Sequence, residues 1–294
     1  MQPYSPSDLV EQLSRNSIPY HDPLARIHWE HLSEDKYWVP EQALSLYGLP
    51  QFSALPDWQR KRLSHYEFLN FIEAGIWLEG IFMERIAYSL RNKSQSRTSL
   101  KYHLHELREE AGHTLVFLET MERSGLSIPH VHHSRLKLVD LFGRYAPMNS
   151  LIFWIATLIG EEIPDRLNRY IRAHPDSVSS VVVEICTMHI IDEARHIAYA
   201  RELLEEHLAN VGSWQRTLLR PLIERLLRQF ITIFYYPNKQ LYELAGLYPG
   251  TQWVEAARHN PHRRDFINKC INPTQQLFRQ RGFPIAWDAQ KKAG

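Results

Sequence analysis

Two Glu-x-x-His tetrads are the residues of this chain that are best suited to chemistry. The first runs from Glu110 to His113 and the second from Glu193 to His196, and the sequence contains no other tetrad of this type. Residues three apart in an α-helix project from the same side, so the Glu and the His of one tetrad can bind a metal ion together. The tetrads therefore predict metal binding between two helices.

The helix that carries the second tetrad has one stripe in which these residues are central. The stripe is made of Val182, Cys186, His189, Glu193, His196, Ala200 and Leu203, in alternating steps of four and three. Its ends are apolar, which is typical of a face that packs into a core. Burial of Glu193 there would be very costly without a cation nearby. His189, one turn before Glu193, is therefore a third candidate ligand.

Two further helices are each expected to contribute one carboxylate to a metal site of this kind. Glu79 is the charged member of the apolar stripe of the first long helix, and Glu162 follows the apolar stripe of the third. Glu161 is a rival to Glu162, because it follows a second apolar row. The spacing favours Glu162: Glu79 precedes Glu110 by 31 residues, and Glu162 precedes Glu193 by the same 31.

The acidic residue before each tetrad suits a supporting role. A metal-bound His usually donates its other ring N–H to a carboxylate or carbonyl, which fixes its tautomer. We predict that Asp192 accepts from His113 and Glu109 from His196, across the bundle, and that Arg195 pairs with either acid. For Glu109 an ordinary surface position is the competing interpretation.

Two other features have both an ordinary and a functional interpretation. Pro164 should bend the third long helix, either as a kink without consequence or to leave room for substrate or oxygen beside the metals. His130, His132 and His133 are close together, but we interpret them as exposed loop residues rather than a second metal cluster.

The elements that must position these residues follow from apolar periodicity. Long helices are predicted from about Asp57 to Leu90, from about Ser99 to Ser124 and from near Pro147 to about Ala173. A fourth starts after Asp176 and reaches about Asn210, and a fifth runs from Ser213 to just before Pro237. Four long helices with a lengthy connection in the middle predict an all-α, ferritin-like four-helix bundle. Residues 1–56 are expected to form an irregular N-terminal arm packed on the core, residues 57–210 the bundle, and residues 211–294 additional C-terminal helices and a tail of the same domain.

Bulk composition excludes several classes of protein. The 294 residues carry 34 Lys and Arg against 33 Asp and Glu, so no basic excess points to a nucleic-acid partner. Two cysteines without a Cys-x-x-Cys pair make a reducing cytoplasm the default location. The N-terminus lacks the pattern of a signal peptide. The longest apolar run, Leu151 to Ile159, is too short to cross a bilayer, so no membrane association is expected.

The motifs together resemble those of the di-iron carboxylate proteins, whose second motif often reads Asp-Glu-x-Arg-His, as at Asp192 to His196. The added His189 makes the chain similar to the p-aminobenzoate N-oxygenase family, in which a third histidine joins four glutamates and two Glu-x-x-His histidines. Over about Asp57 to Asn210, the resemblance implies the metal ligands Glu79, Glu110, His113, Glu162, His189, Glu193 and His196. It also implies oxidation of an aryl or alkyl amine to a hydroxylamine, nitroso or nitro product, often in a biosynthetic pathway.

On this basis the chain is expected to be a non-haem di-iron oxygenase. Two Fe(II) ions bridged by carboxylates would reduce the co-substrate dioxygen to a bridging peroxide, which oxygenates an amine; Mn also suits the ligand types. No Gly-x-Gly-x-x-Gly is present, so electrons should come from an external donor. The alternatives are a di-iron hydroxylase, desaturase or C–C cleaving oxidase acting on carbon, an iron storage or binding protein, and a bundle without metal. By analogy, a homodimer is a reasonable expectation.

Overall fold

The computed structural model of this chain describes residues 6–91, 96–128, 141 and 143–287. Within these ranges the chain is helical and has no strand; one isolated bridge joins Tyr37 and Val178. The all-α class predicted from sequence is therefore confirmed. The three loop histidines His130, His132 and His133 lie outside the described residues.

The described elements are ten α-helices and three short 3-10 turns. The helices are α1 (Pro6–Asn16), α2 (Pro50–Ser53), α3 (Asp57–Leu90), α4 (Arg97–Ser124), α5 (Leu151–Arg172), α6 (Ser180–Ala209), α7 (Ser213–Tyr235), α8 (Lys239–Leu244), α9 (Gly250–His259) and α10 (Pro261–Gln280). The 3-10 turns are Leu24–Arg26, Trp29–His31 and Glu41–Ala43.

Local chemistry explains where two of the long helices begin and end. The Ser96 hydroxyl accepts a hydrogen bond from the Ser99 N–H at 3.1 Å, which satisfies a free donor in the first turn of α4. The same helix ends at Gly125, whose φ of 61° is the left-handed conformation that glycine adopts without strain. Ser150 caps α5 in the same way, so this helix begins at Leu151 rather than at the predicted Pro147.

The four longest helices pack as two pairs. Helix α3 packs along α4 and α5 along α6, and the pairs meet where α4 contacts α6. Completely or nearly completely buried apolar side chains fill the space between them, among them Phe68, Leu69, Ile155, Ile159 and Leu204. Helix α7 covers α3 and α5, and α10 packs against α5. The bundle therefore has an interior dry enough to make any charged side chain inside it costly.

The N-terminal segment lies on the outside of α4 and α6. Helix α1 contacts both, and Arg108 of α4 donates to the Ser17 carbonyl at 2.6 Å and stacks over the Tyr20 ring at 4.1 Å. Further along, the Ser179 N–H donates to the Tyr37 carbonyl at 2.8 Å, next to the start of α6. These contacts place residues 17–23 over the middle of α4, where the first tetrad lies.

None of the described helices combines the length and the apolar character that crossing a bilayer would require.

Candidate metal centre

Six of the side chains predicted as ligands meet in the middle of the bundle. Helix α3 supplies Glu79, α4 supplies Glu110 and His113, and α6 supplies His189, Glu193 and His196. All six are buried, with exposed fractions between 0% and 6%. The apolar stripes on which the residues were recognised are the faces that the bundle buries.

Glu110 and Glu193 both lie between the two tetrad histidines. The Glu110 carboxylate places one oxygen 3.3 Å from His113 Nδ1 and the other 2.9 Å from His196 Nδ1. The Glu193 carboxylate does the same, at 3.4 Å from His113 Nδ1 and 3.2 Å from His196 Nδ1. Two carboxylates that each face both imidazoles could each offer one oxygen beside His113 and the other beside His196 to metal ions held there.

The position next to His113 has two further candidate ligands. His189 Nε2 lies 3.4 Å from a Glu79 oxygen and 3.6 Å from a Glu193 oxygen, and the Glu79 oxygen lies 3.9 Å from His113 Nδ1. On its outer side, His189 Nδ1 lies 3.1 Å from the Asn168 side-chain amide, which orients the ring. This position therefore combines two imidazoles with carboxylate oxygens.

On α5 the structure places two neighbouring glutamates in different surroundings. Glu161 groups with Glu110 and Glu193, with oxygens of the three carboxylates within 4.8 Å of one another. Glu162 lies outside the cluster: it accepts from Arg201 Nε at 2.7 Å and from the Thr274 hydroxyl at 2.6 Å. Successive helical residues differ by about 100° in direction, so only one of the two can face the cluster.

A chain of polar side chains closes the outer side of both tetrad histidines. His113 Nε2 lies 3.4 Å from Asp192, and His196 Nε2 lies 3.0 Å from Glu109. The Arg195 guanidinium links the two acids, at 2.6 Å from Asp192 and 2.9 Å from Glu109. These are the cross-bundle partners that the sequence predicts, with Arg195 joining both acids. Acceptors on both outer nitrogens favour Nε2–H tautomers, which leave the Nδ1 lone pairs facing inward.

Sequence reasoning missed Glu106, which lies one turn before Glu110 on α4. It is 9% exposed, and one of its oxygens lies within 4.8 Å of ligand atoms of Glu110 and His196. Burial raises the pKa of Glu106 to about 8. The nearby His196 opposes this rise, and neighbouring carboxylates add to it. The signal was present in the spacing, because His189 precedes Glu193 by the same four residues.

In the absence of cations, the charged groups of the cluster shift one another's pKa values. Burial and the Glu110 carboxylate raise the pKa of Glu79 well above its usual range, and burial and Glu193 do the same for Glu161. Burial disfavours a charged His113, but hydrogen bonds to Asp192 and Glu110 outweigh it and raise the pKa of His113 to about 10. Without cations, these buried carboxylates therefore hold protons. Bound cations would neutralise the carboxylate charge instead.

Unsatisfied atoms give an independent test of whether metal ions fit here. One oxygen each of Glu79, Glu110 and Glu193 is buried and receives no hydrogen bond from the described residues. Buried carboxylate oxygens without donors are rare and costly in folded proteins. These oxygens belong to the same groups of ligand atoms as the histidine nitrogens. The donor set of carboxylates and imidazoles is one that Fe, Mn or Zn accepts, and the cluster is able to hold two such ions.

Of the cavities that the described residues form near the cluster, two bear on where a substrate could bind. A small one, of about 10 Å³, is bordered by Glu79, Glu161, His189, Pro164 and aromatic side chains, and holds about one water-sized molecule. The space predicted beside Pro164 is therefore present but too small for an organic substrate. A larger cavity of about 1170 Å³ opens at the end of the bundle and reaches inward to His103, Trp154 and Tyr199.

Comparison with solved structures identifies the fold. A mutant R2-like ligand-binding oxidase with an anaerobically reconstituted Mn/Fe cofactor superposes with a TM-score of 0.58 at 15% identity, covering 96% of this chain and 93% of that one. A second mutant of an R2-like ligand-binding oxidase, with an aerobically reconstituted Mn/Fe cofactor, gives 0.56 at 14% identity, covering 96% and 94%. The ferritin-like bundle predicted from sequence is confirmed.

Sequence comparison identifies the family. Uncharacterized proteins of Mycobacterium tuberculosis and Mycobacterium bovis are 24% identical over 279 residues, which cover 92% of this chain and 81% of each relative. A family model described as p-aminobenzoate N-oxygenase AurF matches residues 5–282. Together with the buried cluster, this match identifies the chain as an oxidoreductase of the dimetal oxidase type. The chain belongs to the p-aminobenzoate N-oxygenase AurF family.

Proposed function

We propose that this protein is a di-iron N-oxygenase, which uses dioxygen and electrons from an external donor to oxidise the amine nitrogen of a small molecule. The observation that carries the proposal is the set of buried, donor-free carboxylate oxygens facing the imidazoles at the centre of the bundle. Membership of the AurF family supports nitrogen as the atom that is oxidised. Solved relatives of the same fold with Mn/Fe cofactors support Mn as a second metal that the site accepts.

The proposed ligands differ from the sequence-based set at one position. They are Glu79, Glu110, His113, Glu161, His189, Glu193 and His196, with Glu161 in place of Glu162. Bound iron would supply the redox chemistry that activates dioxygen. The protein's own contribution is to bind and orient the ligands, exclude water and position the substrate.

The supporting side chains keep the ligands in one orientation. Asp192 and Glu109 accept the outer N–H groups of His113 and His196, so that each Nδ1 can face a metal. Arg195, bonded to both acids, holds them together and compensates their charge. Because all of these groups belong to α4 and α6, the two tetrads are fixed relative to one another.

The larger cavity is the better candidate for the substrate. Its inner wall is aromatic: the Tyr199 ring lies 5.4 Å from Trp154, 5.3 Å from His103 and 4.7 Å from Tyr102, centre to centre. Tyr102 and His103 are on the same turn of α4 as Glu106, which borders the cluster. Movement of the Tyr199 side chain would open this aromatic wall towards the turn that carries Glu106. We infer that the amine enters from this side.

The charge of that cavity favours an anionic group on the substrate. Its described lining residues include Arg85, Arg91 and Arg144, with Glu84 as the one acid among them. The Arg85 guanidinium is already bonded to the carbonyls of residues 144 and 146, and Arg144 Nε lies 3.8 Å from the Glu84 carboxylate. An anion would therefore bind Arg91 and compete with Glu84 for Arg144. An aromatic amine with a carboxylate, such as 4-aminobenzoate, matches both the aromatic wall and the arginines.

Isotope labelling tests the proposal. The protein is loaded anaerobically with Fe(II), reduced, and exposed to ¹⁸O₂ with 4-aminobenzoate, aniline or benzoate, and products are analysed by mass spectrometry. We expect ¹⁸O on the nitrogen of 4-aminobenzoate, less on aniline and none on benzoate. Label on carbon would favour the hydroxylase alternative. Absence of label from every substrate in protein with two bound irons would contradict oxygenase function.

A further inference from the structure

We propose that Glu106 is an eighth metal ligand, which binds the position next to His196 and makes the two metal positions chemically different. This inference rests on the metal centre proposed above. It goes beyond the seven ligands of that proposal, and it assigns a preference for Mn(II) to one of the two positions.

The sequence has an internal symmetry around its two tetrads. Around the first tetrad the pattern is Glu106-x3-Glu110-x2-His113, and around the second it is His189-x3-Glu193-x2-His196. Residues four apart on an α-helix lie one above the other on the same face. Glu106 therefore occupies on α4 the place that His189 occupies on α6.

The same symmetry is present in the structure, between α4 and α6. His189 of α6 groups with His113 of α4, with ligand atoms within 4.8 Å of one another, and Glu106 of α4 groups with His196 of α6 by the same measure. Each added side chain thus reaches the metal position of the histidine on the opposite helix. Glu110 and Glu193, which face both histidines, are shared between the two positions.

No polar contact with the described residues explains why Glu106 is buried. It is 9% exposed, and the described residues offer it neither a hydrogen bond within 3.5 Å nor an Arg, Lys or His nitrogen within 4.0 Å. Glutamates are almost never buried to this extent without a partner. Next to it, the buried Glu110 oxygen that lies 2.9 Å from His196 Nδ1 receives no aligned hydrogen bond from the described residues. Two such oxygens beside His196 form an incomplete coordination sphere.

The consequence is a difference in donor atoms. The position near His113 has two imidazoles, His113 and His189, whereas the position near His196 has one imidazole and adds Glu106, with Glu161 also close to the shared carboxylates. Imidazole-rich sites favour Fe and Zn, and carboxylate-rich sites are better suited to Mn. When both metals are supplied, Mn(II) should therefore be enriched next to His196.

The test measures metal occupancy rather than activity. Metal-free protein is loaded anaerobically with equimolar Mn(II) and Fe(II), and each position is identified by anomalous diffraction at the Mn and Fe edges. We expect Mn to be enriched next to His196 in the wild type. Glu106→His, which makes the donor sets of the two positions alike, should abolish the enrichment while keeping two ions per chain. Glu106→Gln should weaken the binding of the second ion by more than about tenfold.

The controls separate this inference from the proposed function. Glu122→Gln changes an exposed glutamate of the same helix and should bind both ions as the wild type does. Two ions in wild type, with unchanged affinity and Mn distribution in both Glu106 variants, would overturn the role of Glu106 and leave the metal centre standing. Fewer than two ions in wild type, with native helical content by circular dichroism, would overturn the centre and this inference together.

Discussion

Glu161 and Glu162 are neighbours in α5, but their carboxylates lie in different environments. Glu161 joins the carboxylates of the metal cluster, whereas Glu162 accepts hydrogen bonds from Arg201 and Thr274 on the other side of the helix. Both are buried. One of them is thus placed to bind metal and the other to connect α5 with α6 and α10.

Exchange of each glutamate for glutamine should separate these roles. We expect Glu161→Gln to weaken metal binding by more than about tenfold, because a neutral amide is a poorer metal ligand. Glu162→Gln should keep both ions and lower the free energy of unfolding by about 1–3 kcal/mol, because Arg201 and Thr274 lose a charged acceptor. Metal analysis and urea unfolding measure the two effects. Metal loss in Glu162→Gln with full occupancy in Glu161→Gln would reverse the assignment.

The long helices and the tetrads were predictable because both follow from helical periodicity. Helix α3 has the predicted bounds, Asp57–Leu90, and α4 ends at the predicted Ser124. An apolar stripe interrupted by Glu and His has few interpretations other than a buried metal site, since burial without a cation is too costly. Composition and spacing were therefore enough for the fold and for six of the grouped side chains.

Glu162, which the 31-residue spacing favours, lies outside the cluster for a geometric reason. The comparison of the two 31-residue intervals assumes that both helix pairs have links of equal length. The link between α5 and α6 comprises residues 173–179, whereas the link between α3 and α4 comprises residues 91–96. An offset of one residue rotates a side chain by about 100°. Residue counts across different links cannot fix rotation to that accuracy.

The acids that lie next to the outer nitrogens of His113 and His196 provide a test of the ligand geometry. Asp192→Asn places an amide opposite His113 Nε2, which can present N–H instead of an acceptor and disturb the tautomer that leaves Nδ1 free. We expect the affinity for metal to fall by about 10–100-fold, with folding preserved. Glu205→Gln, a change of a half-buried glutamate on the same helix that pairs with Arg281, is the matched control. Equal metal affinity in both variants would show that Asp192 does not support the site.

Two helical glycines allow a test of how closely the N-terminal segment packs on the site. A Cβ on Gly112, inside the first tetrad, would lie 2.9 Å from Pro23 Cγ and 3.3 Å from the Tyr20 hydroxyl, whereas a Cβ on Gly80 of α3 would meet nothing within 4 Å. Alanine is favoured over glycine inside a helix by about 1 kcal/mol. Gly80→Ala should therefore raise the melting temperature.

Gly112→Ala should lower it and expose residues 17–23 to protease, because the steric clash outweighs helix propensity. Thermal unfolding and limited proteolysis measure these effects, and the two variants should shift in opposite directions. A rise in melting temperature in both variants, with no new cleavage, would show that the segment does not depend on the absence of a side chain at Gly112.

His103, on the inner wall of the larger cavity, should make stability depend on pH. It is 1% exposed, and burial lowers its pKa from 6.5 to about 4. In the unfolded chain the imidazole takes up a proton near pH 6.5, but in the folded protein it does so only near pH 4. Its contribution to stability is therefore complete above pH 6.5 and is lost progressively as the pH falls towards 4. Between pH 7 and pH 5 this loss amounts to about 2 kcal/mol.

The comparison uses wild type and His103→Phe, both treated with EDTA so that metal release does not contribute. The carboxylates of the cluster titrate in both proteins, and the difference between their pH slopes isolates His103. Urea unfolding at pH 7 and pH 5 should show wild type losing about 2 kcal/mol more than the variant, whatever the change in absolute stability. Parallel slopes would mean that His103 is protonated as readily in the folded protein as in the unfolded chain, and that the aromatic wall beside Tyr199 is open to water rather than closed over the metal cluster.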